Sequence, residues 1–547
     1  MKDDTAWIRI NEAGYSPKRK KIAIVLSEQD ITGKSWSLKN NGKTILEGTL
    51  QNPIKGAGHH LPIGFFSYKI DISSITTIGD YTLELQGAET KQIHIKNDPY
   101  SKFMLEALSH VKVMRSGCKT PLSEASHIGD AKAIVYKVNG DWKNGKWKKA
   151  QPERTLDMLG GHYDAGDYIK FTLTEASLAW HLLEAYSVLY SKDNKNSELS
   201  LLSDEIKHSL DYLAKTFPGE NTFVIQVGDG KDHNYGWRLP DEDVLREKRP
   251  ALCALSRTQM GSTAAVLAFG ARVFKEKDVK LSVFYEDKAI AIYKRAREKD
   301  THKSAFERDD ANDFYYDYDD TDNMALAAIE LYQLTQNKEY LNDCKIFAPP
   351  ANEMVSWAEF NATINLRLAQ NSDKRGTELF LEEMKSYYTV QTSKDNVWNL
   401  PLDDYTWGVL PVWIGMANHL YLAELFDETI KGSDTFYGVL DYVFGCNNWG
   451  IPMIATHKLQ NSIKNVYNQR THLLKELAVG ALSEGPACRK THEQHREHFF
   501  EKTPKDNPYE KFNTPTAVFD DNAFDYVISE STIWGQGNVI LMLALVE

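Results

Sequence analysis

The chain has 547 residues, 42% of them hydrophobic, 26% charged and 11% aromatic. That balance excludes a mainly disordered chain, and glycines and prolines without a period exclude a collagen-like one. Sixty-four basic against 76 acidic residues leave a formal charge of −12, which argues against a general nucleic-acid-backbone binder.

Length alone favours about three to four domains at roughly 150 residues each. The first ten residues lack the apolar core of a secretory leader, and no run approaches the length of a membrane span. The five cysteines, Cys118, Cys253, Cys344, Cys446 and Cys488, are scattered and odd in number. They read as reduced thiols, and the chain as cytoplasmic, with no membrane and no nucleic-acid partner. The 12 tryptophans and 27 tyrosines offer flat rings for stacking a ligand, although packing is their ordinary use.

Residues 1–97 read as a small antiparallel β-sandwich. Ile22–Leu26, Trp36–Leu38, Phe65–Ile72, Tyr81–Leu85 and Ile93–Ile95 are short, alternating or β-branched runs. Turn signals separate them at Asn40-Asn-Gly42, Gly56-Ala-Gly58 and Gly79-Asp80, and the unit ends near Asn97-Asp-Pro99. Residues 98–547 have helical periodicity. Thr172-Leu-Thr-Glu175 offers a capping box ahead of the stripe Ala176 to Leu189. Further stripes run from Met260 to Phe274 and from Met324 to Leu334, and helices are expected in 406–426, 434–444 and 531–546. Their broad, alanine-rich apolar faces suit helix-on-helix packing.

The strongest chemical signal is Gly160-Gly-His-Tyr-Asp-Ala-Gly-Asp-Tyr-Ile-Lys-Phe171. Asp164 and Asp167 flank an Ala-Gly pair just before a helix. Gly166 is expected to let the backbone turn both carboxylates toward one point. Two close acids can hold a water, and their repulsion splits their pKa values. An Asx turn capping the helix is the competing reading.

Taken whole, this segment resembles the GGWYDAGDxxKF signature of glycoside hydrolase family 9. Asn11-Glu-Ala-Gly-Tyr-Ser-Pro17 is similar to the start of that family's immunoglobulin-like domain. Val227-Gly-Asp-Gly230, Asp232-His233 and Trp237-Arg-Leu-Pro240 resemble its VGDG, DH and W.rPE stretches. Asp322–Tyr332 is similar to its DELxWAAxxLY helix, Gly480–Pro486 to GALVGGP, and Tyr526–Ile533 to YxxNEvai. The resemblance implies a mostly α fold: a six-hairpin (α/α)6 barrel behind an all-β immunoglobulin-like sandwich. It implies an inverting hydrolase of β-1,4 glycosidic bonds, with Asp167 as general base, Asp164 helping to hold the water and Glu530 as general acid. Inversion requires two carboxyl groups roughly 6.5–9.5 Å apart, and the acid must keep its proton at working pH. Sugar contacts are expected from His162, His233, Trp237, Asp322, Trp407, Glu484 and Tyr526, with stacking and packing both open for Trp407.

The sequence also departs from the family pattern. His162 replaces a tryptophan, Asn323 stands where DELxWAA has its glutamate, and GALVGGP has become Gly-Ala-Leu-Ser-Glu-Gly-Pro, adding Glu484. The family's His-His-Arg segment is replaced by Asn465-Val-Tyr-Asn-Gln-Arg-Thr-His472. These changes favour a short pocket and exo action on short gluco- or glucosamine-oligosaccharides. Glu484 or the Asp317–Asp322 run would face an ammonium. The alternatives are an endo-β-1,4-glucanase and a non-catalytic sugar-binding protein. No cofactor is expected. Structural calcium or zinc stays open, because Asp309–Asp322 is acidic and Cys488, His492, His495 and His498 have clip-like spacing. The bland readings are a sugar-facing or solvated loop for the first and a solvated surface segment for the second.

Overall fold

The computed structural model describes residues 6–139, 146–219, 221–247, 249–304, 315–348, 355–390, 393–498 and 507–546. The N-terminal strands are β1 (Ala6–Arg9), β2 (Ile22–Ser27), β3 (Ser35–Asn40), β4 (Lys43–Thr49), β5 (Ile54–Lys55), β6 (Phe66–Asp71), β7 (Gly79–Leu85) and β8 (Lys91–Ile95). They form two antiparallel sheets, ordered β1-β2-β6-β5 and β4-β3-β7-β8, over a core that includes Ile8, Val25, Leu38, Tyr68 and Leu83.

Each strand run read from the sequence lies in this sandwich. β1, β4 and β5 were not anticipated. β4 is an edge strand with mostly exposed residues, so it lacks the apolar alternation that betrays a half-buried strand. Asn41 and Gly42 join β3 to β4 with φ of 49° and 77°, the two-residue turn that matches strand twist. β2 is apolar on both faces for a reason. Ala23 and Val25 enter the sandwich core, while Ile24 and Leu26 pack into the core of the helical domain.

That contact is reinforced by polar groups of the Asn11–Pro17 motif. Asn11 Nδ2 donates to Asp441 Oδ1 (2.7 Å) and to the Tyr100 hydroxyl (3.0 Å). Arg19 forms a buried ion pair with Asp441. On the other side, Asp395 Oδ2 accepts the backbone N–H groups of Ala57 and His59 (both 3.1 Å).

The helical domain is built from α1 (Ser101–Val113), α2 (Thr172–Lys192), α3 (Glu198–Lys215), α4 (Arg257–Phe274), α5 (Val279–Ala296), α6 (Thr321–Thr335), α7 (Lys338–Phe347), α8 (Asn361–Gln370), α9 (Lys374–Val390), α10 (Leu410–Ala423), α11 (Gly432–Val443) and α12 (Ile533–Val546). Helices α2/α3, α4/α5, α6/α7, α8/α9 and α10/α11 pair as hairpins, and α1 pairs with α12. The inner members α2, α4, α6, α8, α10 and α12 are buried almost all round. This is a six-hairpin helical barrel. Two domains therefore account for the length, fewer than length alone favours. No helix among the described residues is long and apolar enough to cross a membrane.

Two local expectations are corrected. Thr172-Leu-Thr-Glu175 opens α2 but is not a capping box. Thr172 Oγ1 donates to the Val224 carbonyl (2.8 Å), and the Glu175 carboxylate accepts the His162 N–H (2.8 Å). Tertiary partners have taken both side chains. The helix expected in 406–426 begins only at Leu410, where Pro411 sits in its first turn. A small sheet was not foreseen: Lys146–Lys149, Ala133–Asn139, Pro250–Cys253, Val224–Val227 and Lys170–Phe171, in that order. Its last strand fastens the end of the 160–171 segment.

Candidate active site

The 160–171 segment carries both aspartates on the loop just ahead of α2. Asp167 Oδ1 accepts the N–H of Ile169 (2.9 Å), so the Asx turn does form. It uses one oxygen only, and Oδ2 meets the His233 imidazole Nδ1 at 2.7 Å. Burial works against charging His233, but the hydrogen bond and charge of Asp167, with Asp232 nearby, raise its pKa. Asp164 lies deeper and is 3% exposed. Thr174 Oγ1 donates to it (2.6 Å), and the Tyr315 hydroxyl also hydrogen-bonds it. Burial, then the charges of Asp167 and Glu175, push Asp164 up to about 7 against those two hydrogen bonds.

Glu530 reaches the same loop from the other end of the chain. Its Oε1 accepts the Gly166 N–H at 3.0 Å. The role expected of Gly166 is corrected here: it does not have a positive φ. A Cβ at Gly166 would lie 2.6 Å from the Tyr467 ring and 2.9 Å from Glu530 Oε1. Glycine is needed so that Glu530 and Tyr467 can close on the backbone beside Asp167. Burial raises the Glu530 carboxyl well above its ordinary range. Asp167, Glu484 and Asp164 add to this, against the Gly166 hydrogen bond.

Glu484 belongs to this cluster. Its N–H donates to the Glu530 carbonyl (2.9 Å), and its Oε1 accepts from Thr532 Oγ1 (2.7 Å). Burial pushes it up to about 8, with Asp164 adding and Thr532 opposing. Among the described residues, no lysine, arginine or histidine lies within ion-pair distance of Asp164, Glu484 or Glu530.

Aromatic rings extend the site on both sides. Trp237 lies parallel to His472, with ring centres 4.0 Å apart, and meets the edge of Tyr467 at 4.6 Å. One face of Trp237 is thus already covered. Trp407, 38% exposed, stacks on Tyr526 at 5.7 Å, and Tyr526 contacts Tyr467 at 5.9 Å. The Tyr526 hydroxyl bonds His495 Nδ1 (2.9 Å) and His498 Nδ1 (2.7 Å).

Two expected sugar contacts are corrected. His162 is fully buried behind the aspartate loop, its ring held by Glu175 (3.0 Å) and Glu205 (3.4 Å). Burial opposes its charge, but those two carboxylates raise it to about 9. The two carboxylates thus favour its charged form. Asp322 is 3% exposed in the first turn of α6, where it accepts the N–H groups of Asn323 (2.8 Å) and Phe360 (2.9 Å). Both its carboxyl oxygens are thus engaged by backbone. His233, Trp237, Trp407, Glu484 and Tyr526 do gather around Asp167 and Glu530.

The acidic run considered for calcium begins at Asp309, and residues 309–314 lie outside the described residues. The Cys488–His498 segment is not a zinc clip. It lies at the surface, with no buried residue in Arg489–His495, and its histidines turn inward: His495 and His498 hold Tyr526, and His492 pairs with Asp525 at 2.9 Å. Two groups have donor atoms within 4.8 Å of one another, His492/Asp520/Asp525 and His59/His60/Asp403. In each a histidine already pairs with an aspartate.

Sequence reasoning missed Tyr315, Tyr467, Gln469 and Thr532. Gln469 Nε2 donates to the Gly166 carbonyl (2.9 Å). Tyr467 and Gln469 were within reach, because they lie in the segment that replaces the His-His-Arg stretch. Tyr315 and Thr532 also lie in segments noted above, Asp309–Asp322 and Tyr526–Ile533, but only the fold brings them to Asp164 and Glu484.

Comparison with known proteins agrees with this geometry. The family model for glycosyl hydrolase family 9 matches residues 100–543, and that for the cellulase N-terminal Ig-like domain matches residues 3–90. A cellodextrinase from Butyrivibrio fibrisolvens is 24% identical over 525 residues, 88% of this chain and 90% of that protein. A metagenome-derived family 9 endoglucanase superposes with a TM-score of 0.79 at 20% identity, covering 98% of both chains. A second solved structure, titled AaCel9A in complex with cellobiose-like isofagomine, superposes with a TM-score of 0.78 at 17% identity over 98% and 99% of the two chains. The chain belongs to glycosyl hydrolase family 9 and is a glycoside hydrolase with an N-terminal immunoglobulin-like domain.

Proposed function

We propose that this hydrolase inverts the anomeric centre of β-1,4-linked substrates, and that it removes sugars from the end of short gluco- or glucosamine-oligosaccharides. Asp167 is the general base. Its Oδ2 is held by His233, and with Asp164 it orients the attacking water. Glu530 is the general acid and donates its proton to the leaving oxygen. The observation that carries this is the contact between Glu530 and the N–H of Gly166, which brings a buried carboxyl to the residue beside Asp167. Burial keeps the proton on Glu530, while Asp167 sits nearer solvent beside an imidazole.

Two observations support the short-pocket reading. His472 covers one face of Trp237, so that ring is not an open platform. Asp164, Glu484 and Glu530 gather without a cation among the described residues, and an ammonium on the sugar would draw a proton off one of these carboxyls and pair with it. An endo-β-1,4-glucanase is the second reading, favoured by the printed names of structural relatives.

A hydrolysis panel of cello-, chito- and glucosamine-oligosaccharides with product analysis decides between them. Single-sugar release from glucosamine oligomers is the expected result, and dominant cutting within the cellulose polymer would overturn the exo reading. Glu484→Gln should depress turnover of glucosaminides more than glucosides. NMR of the first-formed anomer tests inversion.

A further inference from the structure

A buried chain of alternating charges lies behind the loop that carries Asp167. Lys170 Nζ pairs with Asp130 (2.8 Å) and donates to the carbonyls of Met158 (2.7 Å) and Gly160 (3.0 Å). Arg249 stands 3.5 Å from both Asp130 and Asp232. Arg238 then joins Asp232 to Asp243, at 2.9 Å each. Asp130 and Lys170 are fully buried, and Arg249 and Asp232 are each 2% exposed.

Two members hold the chain next to the reacting groups. Asp232 Oδ1 accepts the N–H of Tyr168 at 3.2 Å, and Arg249 donates to the Tyr168 carbonyl. Tyr168 directly follows Asp167. Arg249 also donates to the Val227 carbonyl (3.2 Å), at the end of the strand that leads to His233. Asp232 directly precedes His233, whose ring meets Asp167 at 2.7 Å. The two halves of the Asp167–His233 pair therefore hang from the same two side chains.

We infer that Arg249 and Asp232 are positioning residues for the hydrolytic reaction: they hold the backbones at 168 and 232 so that His233 meets Asp167. The inference rests on the reading of Asp167 as the base. Directional bonds suit this task better than apolar contacts would. The Arg249 guanidinium gives directional bonds to the carbonyls of Tyr168 and Val227 while it faces two carboxylates at 3.5 Å, whereas a greasy contact lets a loop slide. Lysine at 249 keeps the charge but not the fork.

The test uses Arg249→Lys and the isosteric Asp232→Asn, each alone and combined with His233→Ala. Turnover is measured on whichever β-glycoside the wild type cleaves best. Each single variant should lose at least ~10-fold in kcat with KM changed by less than about 3-fold, as a misplaced reacting group does. In the His233→Ala background the same changes should cost no more than ~2-fold, because the residues act through one pair. NMR of ring-labelled histidine gives the second readout. The His233 titration should move to lower pH in Arg249→Lys as its contact with Asp167 loosens; in Asp232→Asn the lost Asp232 charge moves it as well, so there the double-variant kinetics alone are read. Additive losses with an unmoved His233 titration would show a merely structural role and overturn the inference. If Arg249→Lys fails to fold, Asp232→Asn carries the test. Asp167→Asn, run alongside, separates the two ideas. Retained turnover there would sink the base assignment itself, whereas a dead Asp167→Asn with additive double variants sinks only the positioning role.

Discussion

Two buried groups of acids lie within the same domain, and their counter-charges differ. Asp130, Asp232 and Asp243 alternate with Lys170, Arg249 and Arg238. Asp164, Glu484 and Glu530 have hydroxyls, one backbone N–H and one another, but no cation at ion-pair distance among the described residues. In the first group Arg249 and Lys170 overcome the burial of Asp130, and hydrogen bonds from His127 and Arg238 lower Asp243, whereas burial still pushes Asp232 up to about 6 against Arg249 and Arg238. In the second, burial is opposed by hydrogen bonds but by no cation among the described residues, and each acid is pushed up. The difference between the two groups is one of counter-charge. A balanced network gains only in place, where its geometry is satisfied. Burial without a cation raises all three carboxyls of the second group, and a raised pKa is what a general acid requires.

The largest break in this comparison comes from neutralising the reactive carboxyls. Glu530→Gln should lower kcat about 10²–10⁴-fold on oligosaccharides, and less on activated aryl glycosides whose leaving group needs no proton. Asp167→Asn should fail on both substrates. Wild-type-like oligosaccharide turnover by either variant would remove that residue from its role. Next comes Gly166→Ala. It places a methyl within 2.6 Å of the Tyr467 ring, so it should cost on the order of 10²-fold in kcat by displacing Tyr467 and Glu530. A variant with unchanged kinetics would mean that the loop can absorb the methyl group.

Removing one acid from the balanced network should act on stability. Asp130→Asn leaves Lys170 and Arg249 partly uncompensated, and breaking a buried pair costs about 3–5 kcal/mol. Urea or thermal unfolding should show the loss. A change within a few tenths of a kcal/mol would mean that water reaches the network.

How much of this was open to a reader of the sequence follows from the range of each interaction. Strands such as β2 and inner helices such as α4 and α6 were legible because burial writes a local pattern. The edge strand β4 and the small sheet around Lys170 write none. Asp164, Asp167 and Glu530 were legible through short motifs that resemble a known family. The partners that set their chemistry were not, since Thr174, Tyr315, Thr532 and the Gly166 N–H meet them only through the fold. His162 shows the reverse error. Its place in the motif suggested a sugar contact, yet two carboxylates far along the chain, Glu175 and Glu205, had already claimed it.

Glu484→Gln gives the smallest effect and the finest contrast, because an acid removed from the unbalanced pocket should stabilise the fold. The sign follows from linkage. The folded-state pKa of Glu484 is raised to about 8, above its unfolded value. Below the unfolded value both states hold the proton and this group costs nothing. As pH rises toward 8 the unfolded chain releases a proton that the folded chain keeps, so stability falls through that window. Asp164, raised to about 7, adds a loss in the same direction. Glutamine at 484 removes its share, so melting temperature should rise by a few degrees at pH 8 and stay level near pH 4. The same change removes a negative neighbour of Glu530. Glu530 should then release its proton more easily, and the basic limb of kcat/KM should move to lower pH. A basic limb that stays in place in Glu484→Gln would mean that Glu484 does not help hold the proton on Glu530, and the pocket's charge imbalance would then have to act through Asp164 and burial alone.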